Sequence, residues 1–100
     1  MKKHMINVGV QVLPLVEDAF PVVDRAIAAI RASGLRYEVG PLETTLEGDD
    51  LDALLATAKA AHLAAFEAGA GQVVTIIKIA DAVGGTTIEE KVGKYRRPAP

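Results

Sequence analysis

One hundred residues carrying a net charge of −2 suffice for one domain, and they leave no basic footprint for nucleic acid or an anionic membrane. Half of the residues are apolar but only 4% are aromatic, so the core must be built from Val, Ile, Leu and many Ala. Small side chains bury little area each, which favours further burial by association into a homo-oligomer. The absence of cysteine removes disulfides, thiolate metal sites, iron–sulfur clusters and cysteine nucleophiles together.

The start, MKKHM followed by INVGVQVLPLV, has the outline of a signal peptide. Asn7 and Gln11 interrupt the apolar run, however, and Glu17-Asp18 stand where a cleavage site needs small residues. No window reaches the roughly 18 apolar residues of a membrane span. A cytoplasmic chain forming a single domain is expected, with a structured core over about residues 5–93 and a frayed YRRPAP tail.

Met5 to Leu13 alternates as a strand does: Ile6, Val8, Val10 and Val12 take one face, and Asn7, Gly9, Gln11 and Leu13 the other. Pro14 closes it. A helix is expected from about Asp18 to Ser33, with Pro21 in its first turn, Val23, Ala26, Ile27 and Ile30 as its apolar stripe, and Gly34 as its stop. Strands follow over Leu35–Val39 and Leu42–Gly48, separated by Gly40-Pro41. Asp49, Asp50 and Asp52 supply the capping oxygen and negative charge that a helix N-terminus favours. That second helix runs to about Glu67, with Leu51, Leu54, Leu55, Ala58, Ala61 and Ala65 inward. Gln72–Ala80 is so apolar that burial on both faces is expected. One or two helical turns can form over Thr87–Val92.

The order strand, helix, strand, strand, helix, strand predicts an α+β, ferredoxin-like βαββαβ domain: a four-stranded antiparallel sheet with two helices on one face. The other face is then open, ready for a second subunit. On it, alternation gathers Gln11, Thr45, Glu47 and Lys78 from three strands. Such groups are costly to bury unless paired. An intersubunit network with a Glu47–Lys78 ion pair and a small-molecule site both satisfy that demand, and one interface can hold both.

Other motifs carry less. His62 lies beside the apolar stripe of the second helix, where a histidine is more often a packing residue than a ligand contact, and His4 is near the terminus. Two distant histidines with no carboxylate at ligand spacing make no metal site. Gly84-Gly85-Thr86-Thr87 lacks the Gly-Lys-Thr ending of a phosphate loop and reads as a turn. The single serine, Ser33, has no histidine nearby in sequence. Glu43 and Glu47 are the one conceivable acid/base pair, so a non-enzymatic protein with no catalytic residue, no metal and no cofactor is expected.

Fold alone does not select a function. RNA-recognition modules stack bases on central-strand aromatics, and INVGVQV and LETTLEG have none. Metal carriers of this fold need Cys-x-x-Cys. Acylphosphatase-like enzymes need an arginine after the first strand, where this chain has Pro14-Leu15-Val16-Glu17. Regulatory ligand-sensing domains of the ACT type remain compatible.

VGVQVLPL, SGLRYEVGPLETTLEG, AKAAH and VVTIIKIAD, in that order over Ile6 to about Lys91, resemble the thiamine-binding, YkoF-like family. The resemblance implies a small ferredoxin-like protein paired into a homodimer or homotetramer through its sheets, and a ligand that is thiamine or its hydroxymethylpyrimidine moiety. The residues suit such a ligand: Glu47 to offset the thiazolium charge, and Thr45 and Gln11 as orientable donors and acceptors. Phe20 or Tyr37 offers a ring nearby, with Tyr37, Thr44, Lys78 and His62 completing the candidate set. Lys78 is awkward beside a cation unless Glu47 or Asp81 neutralises it. The alternative is a regulatory or structural oligomer that senses another metabolite or a protein partner.

Overall fold

The structure is a computed structural model that describes residues 4–96. β1 (Ile6–Pro14) is followed by α1 (Phe20–Ala32), β2 (Arg36–Val39), β3 (Thr44–Gly48), α2 (Leu51–Glu67), β4 (Val73–Ala80) and α3 (Ile88–Val92), then a 3₁₀ turn at Gly93–Tyr95. The tail expected to fray lies largely outside the described residues.

The strands form one antiparallel sheet in the order β2-β3-β1-β4. Antiparallel partners share a face, so the register decides what meets what. Val8 stands opposite Leu46 and Ile79, Gly9 opposite Thr45 and Lys78, and Asn7 opposite Glu47 and Ala80. β3 accompanies β1 only as far as Val10, whereas β4 follows it to Pro14. Proline is therefore accommodated where β1 has a neighbour on one side alone.

The core lies between the sheet and the two long helices. Val8, Val10 and Leu46 from the sheet meet Ala26 and Ile30 of α1 and Leu54, Ala58 and Ala61 of α2. Alanine on α2 lets its backbone approach the sheet closely. Asp50 caps α2, its carboxylate accepting from the backbone N–H groups of Asp52 and Ala53 at 3.0 and 3.4 Å. α1 has no side-chain cap, and the missing N–H of Pro21 in its first turn leaves one donor fewer to satisfy. Its buried stripe is Val22, Ala26 and Ile30, so the inward valine is Val22 where Val23 was expected.

Two further expectations about the fold need correction. β4 is exposed along most of its length, with Val74, Ile76, Ile77 and Ile79 each more than two-fifths accessible, because it is an edge strand with β1 as its one neighbour. The second correction concerns helix number. α3 is a third helix, and it lies against the face expected to be open, where the backbone N–H of Ile88 donates to Glu47 at 2.9 Å.

Candidate ligand-binding site

β1 positions the site, because a central strand sets neighbours on both sides. Gly9 has no side chain, and the Glu43 carboxylate lies over the space that leaves: a Cβ there would sit 2.6 Å from Glu43 Oε2. Glu43 thus crosses β1 to pair with Lys78 Nζ at 2.8 Å. The Glu47–Lys78 pair expected from alternation does not form. Glu47 is buried and doubly engaged, by Ile88 N–H and by Arg36 Nε at 3.3 Å. Its role in this geometry is to tie α3 to the sheet.

α3 begins where the Ala82–Gly85 turn, with Gly84 and Gly85 at φ of +88° and +81°, reverses the chain after β4. The Thr87 hydroxyl then accepts from Glu90 N–H at 3.0 Å and starts the helix. Ile88, only 3% exposed, anchors it. Between α3 and the sheet is a pocket of about 650 Å³, within the roughly 300–1,000 Å³ of small-molecule sites. Asn7, Gly9 and Thr45 line it from the sheet, Ile88, Lys91 and Val92 from α3, and Glu38, Glu43, Lys78 and Lys91 supply its charges. A neighbouring groove shares Glu38, Glu43 and Thr45 and extends to Tyr95 and Arg96. Glu38 pairs with Arg96, and Glu43 with the well-exposed Lys78. Ion pairs this accessible contribute roughly 0–1 kcal/mol, so a ligand cation can replace the lysine at little cost.

Asn7 is different. It is 3% exposed, and neither atom of its carboxamide has a hydrogen-bond partner among the described residues. An unsatisfied buried polar group costs about 1–3 kcal/mol.

Of the residues singled out from the sequence, Thr45 and Lys78 line the pocket. Gln11 shares their face, opposite Ile76, but lines a separate cleft of about 270 Å³ together with Thr44, at the end of β1 and against α1. Thr44 is buried opposite Val10 on the helix side. Tyr37, opposite Leu46, is also on the helix side and accepts from Arg31 Nε at 3.2 Å, which raises the already high pKa of that guanidinium. His62 meets Thr75 Oγ1 through Nδ1 at 2.6 Å and packs edge-on against Phe66 at 5.4 Å, on the helix side as well. Sequence reasoning placed Asn7 and Gly9 on the correct face without selecting them for the site, and took Glu43 only as half of a conceivable acid/base pair. Glu38 was read only as part of the second strand and Thr87–Val92 only as a helical turn or two, and neither was tied to the site. Among the described residues, no cluster of three or more His, Asp or Glu is placed to hold a metal ion, and no helix is long and apolar enough to cross a membrane.

Fold and site together define a small α+β protein with one face of its sheet packed by helices and the other shaped into a charged, partly covered cleft. The chain belongs to the thiamine-binding protein family, whose model matches residues 8–96. It is 49% identical over 92 residues to a UPF0045 protein of Clostridium perfringens, covering 90% of this chain and 96% of that one. Among solved structures, it is similar to a domain of unknown function, DUF77, from Bacillus cereus (47% identity, TM-score 0.84, covering 93% of this chain and 91% of that one). It is also similar to a Thermotoga maritima protein provisionally assigned to thiamine biosynthesis or salvage (40% identity, TM-score 0.81, covering 92% and 99%).

Proposed function

We propose that this chain is a non-enzymatic binding protein for thiamine or its hydroxymethylpyrimidine moiety, held in the pocket between α3 and the sheet. The observation that carries this reading is the pocket's charge arrangement in a member of this family. Glu38 and Glu43 both line it, and each is paired with a side chain from the accessible surface. Glu43 accepts the thiazolium in exchange for Lys78, which swings into solvent. Thr45 offers a hydroxyl that can donate or accept. The provisional link of the Thermotoga protein to thiamine biosynthesis or salvage supports the same ligand class.

Calorimetric titration with thiamine and with hydroxymethylpyrimidine tests the reading directly. Saturable heat with at least one is expected, and heat with neither on folded protein refutes it. Glu43→Gln should weaken thiamine by roughly ten- to a hundredfold, the effect of losing a charged partner worth about 1.5–3 kcal/mol, while weakening the neutral pyrimidine less. Turnover of a thiamine precursor by pure protein would contradict the non-enzymatic assignment.

The strand order and the two long helices on one face support a ferredoxin-like architecture. The exposed Val74, Ile76, Ile77 and Ile79 on β4 support association with a second copy through the sheets. That same edge favours a second reading, an oligomer whose regulatory role depends on a different metabolite. Native mass spectrometry of protein taken from cells separates the two by the mass of what co-purifies.

A further inference from the structure

We infer that Asn7 is the specificity residue of the pocket, reading a flat heterocycle edge that presents an N–H donor beside a ring-nitrogen acceptor. The inference deepens the binding reading above and rests on it. Asn7 sits on the central strand between Glu47 on β3 and Ala80 on β4, and neither satisfies it. Glu47 is already taken by Arg36 and Ile88, and alanine has nothing to offer beyond its backbone. The carboxamide is therefore buried with its donor and acceptor both unpartnered among the described residues, and Asn7 lines the pocket.

A primary amide carries a donor and an acceptor side by side in one plane. Its natural complement is an amino group adjacent to a ring nitrogen, the same match by which asparagine reads adenine in DNA. An aminopyrimidine has that edge, and so does adenine. Glu43 and Asn7 would then divide the work: the carboxylate senses charge and the amide senses the ring edge.

The test measures binding of thiamine, its analogue lacking the amino group, and adenosine, each to the wild-type chain and to Asn7→Leu. The leucine side chain has nearly the same size, so unfolding temperature without ligand is recorded in parallel. For wild type, loss of the amino group should weaken thiamine about tenfold or more, and Asn7→Leu should weaken thiamine to a similar extent. In Asn7→Leu the two thiamine compounds should bind alike. Its unfolding temperature should stay level or rise, since two unsatisfied polar groups are removed. Equal penalties for losing the amino group in both proteins, or thiamine affinity within twofold of wild type in Asn7→Leu, overturn the inference and leave the binding reading intact. Adenosine binding that depends on Asn7, without thiamine binding, supports the inference and overturns the thiamine assignment. If the wild-type chain binds none of the three, both fall. The wild-type comparison of the two thiamine compounds needs no variant, so equal affinities there overturn the inference even where the Asn7→Leu chain fails to fold.

Discussion

The two faces of the sheet are made from the same strands, yet they obey different rules. Toward the helices, Val8, Val10 and Leu46 are at most 2% exposed and pack in one core with Ala26, Ile30, Leu54, Ala58 and Ala61. The polar groups on that side find partners, as His62 does with Thr75 and Tyr37 with Arg31. Toward α3, the next residues along the same strands are Asn7, Gly9 and Thr45, which line a pocket beside a buried amide without a partner among the described residues and carboxylates paired with the accessible surface. Under the proposed function, alternation thus separates stability from recognition at intervals of one residue. The packed face tolerates little change, whereas the other retains unsatisfied groups that a ligand can complete.

Adjacent residues on β3 give the strongest way to break this contrast. Leu46→Ala should cost about 2–5 kcal/mol in urea unfolding, by lost transfer energy and a residual cavity. Thr45→Ala should stay within roughly 0.5 kcal/mol in the same measurement while lowering ligand affinity. Comparable losses of stability at the two positions would erase the distinction between the faces. A smaller effect is expected at His62. Replacing it by phenylalanine keeps the ring against Phe66 but leaves Thr75 without its partner, at about 1 kcal/mol. Thiamine titration of His62→Phe should match wild type, and weakened binding would return this histidine to the site. The smallest effect concerns Lys78. Because its pair with Glu43 is accessible, Lys78→Met should alter stability by less than about 1 kcal/mol. Thiamine affinity should nevertheless rise, since a competing cation has been removed. A fall in affinity would show that Lys78 itself holds the ligand.

Much of the fold could be read from the chain. The alternation of INVGVQV, the proline and glycine punctuation around α1, and the aspartates before α2 each act within a few residues, and all appear at or near the expected positions. β4 was harder. A run of valine and isoleucine looks alike whether a strand is buried within one chain or awaits a second, and the sheet order that makes it an edge is not a local property.

The site was legible in part for the same reason. Period-two alternation put Asn7, Gly9, Thr45 and Lys78 on a shared face, but it could not decide which carboxylate would reach Lys78. That depended on the space above Gly9, which admits Glu43, and on α3, which occupies Glu47.

By itself, then, the amino-acid order determined the strands, the helices, their caps and which side of the sheet each residue occupies, because these follow from backbone periodicity and from side chains acting on nearby peptide groups. The tertiary structure alone decided that Ile88 would meet Glu47 across 41 residues of chain, that a short helix would cover the polar face, and that Asn7 would be buried beside a cleft without a partner among the described residues. Those outcomes depend on contacts between segments distant in sequence, and no short-range pattern encodes them.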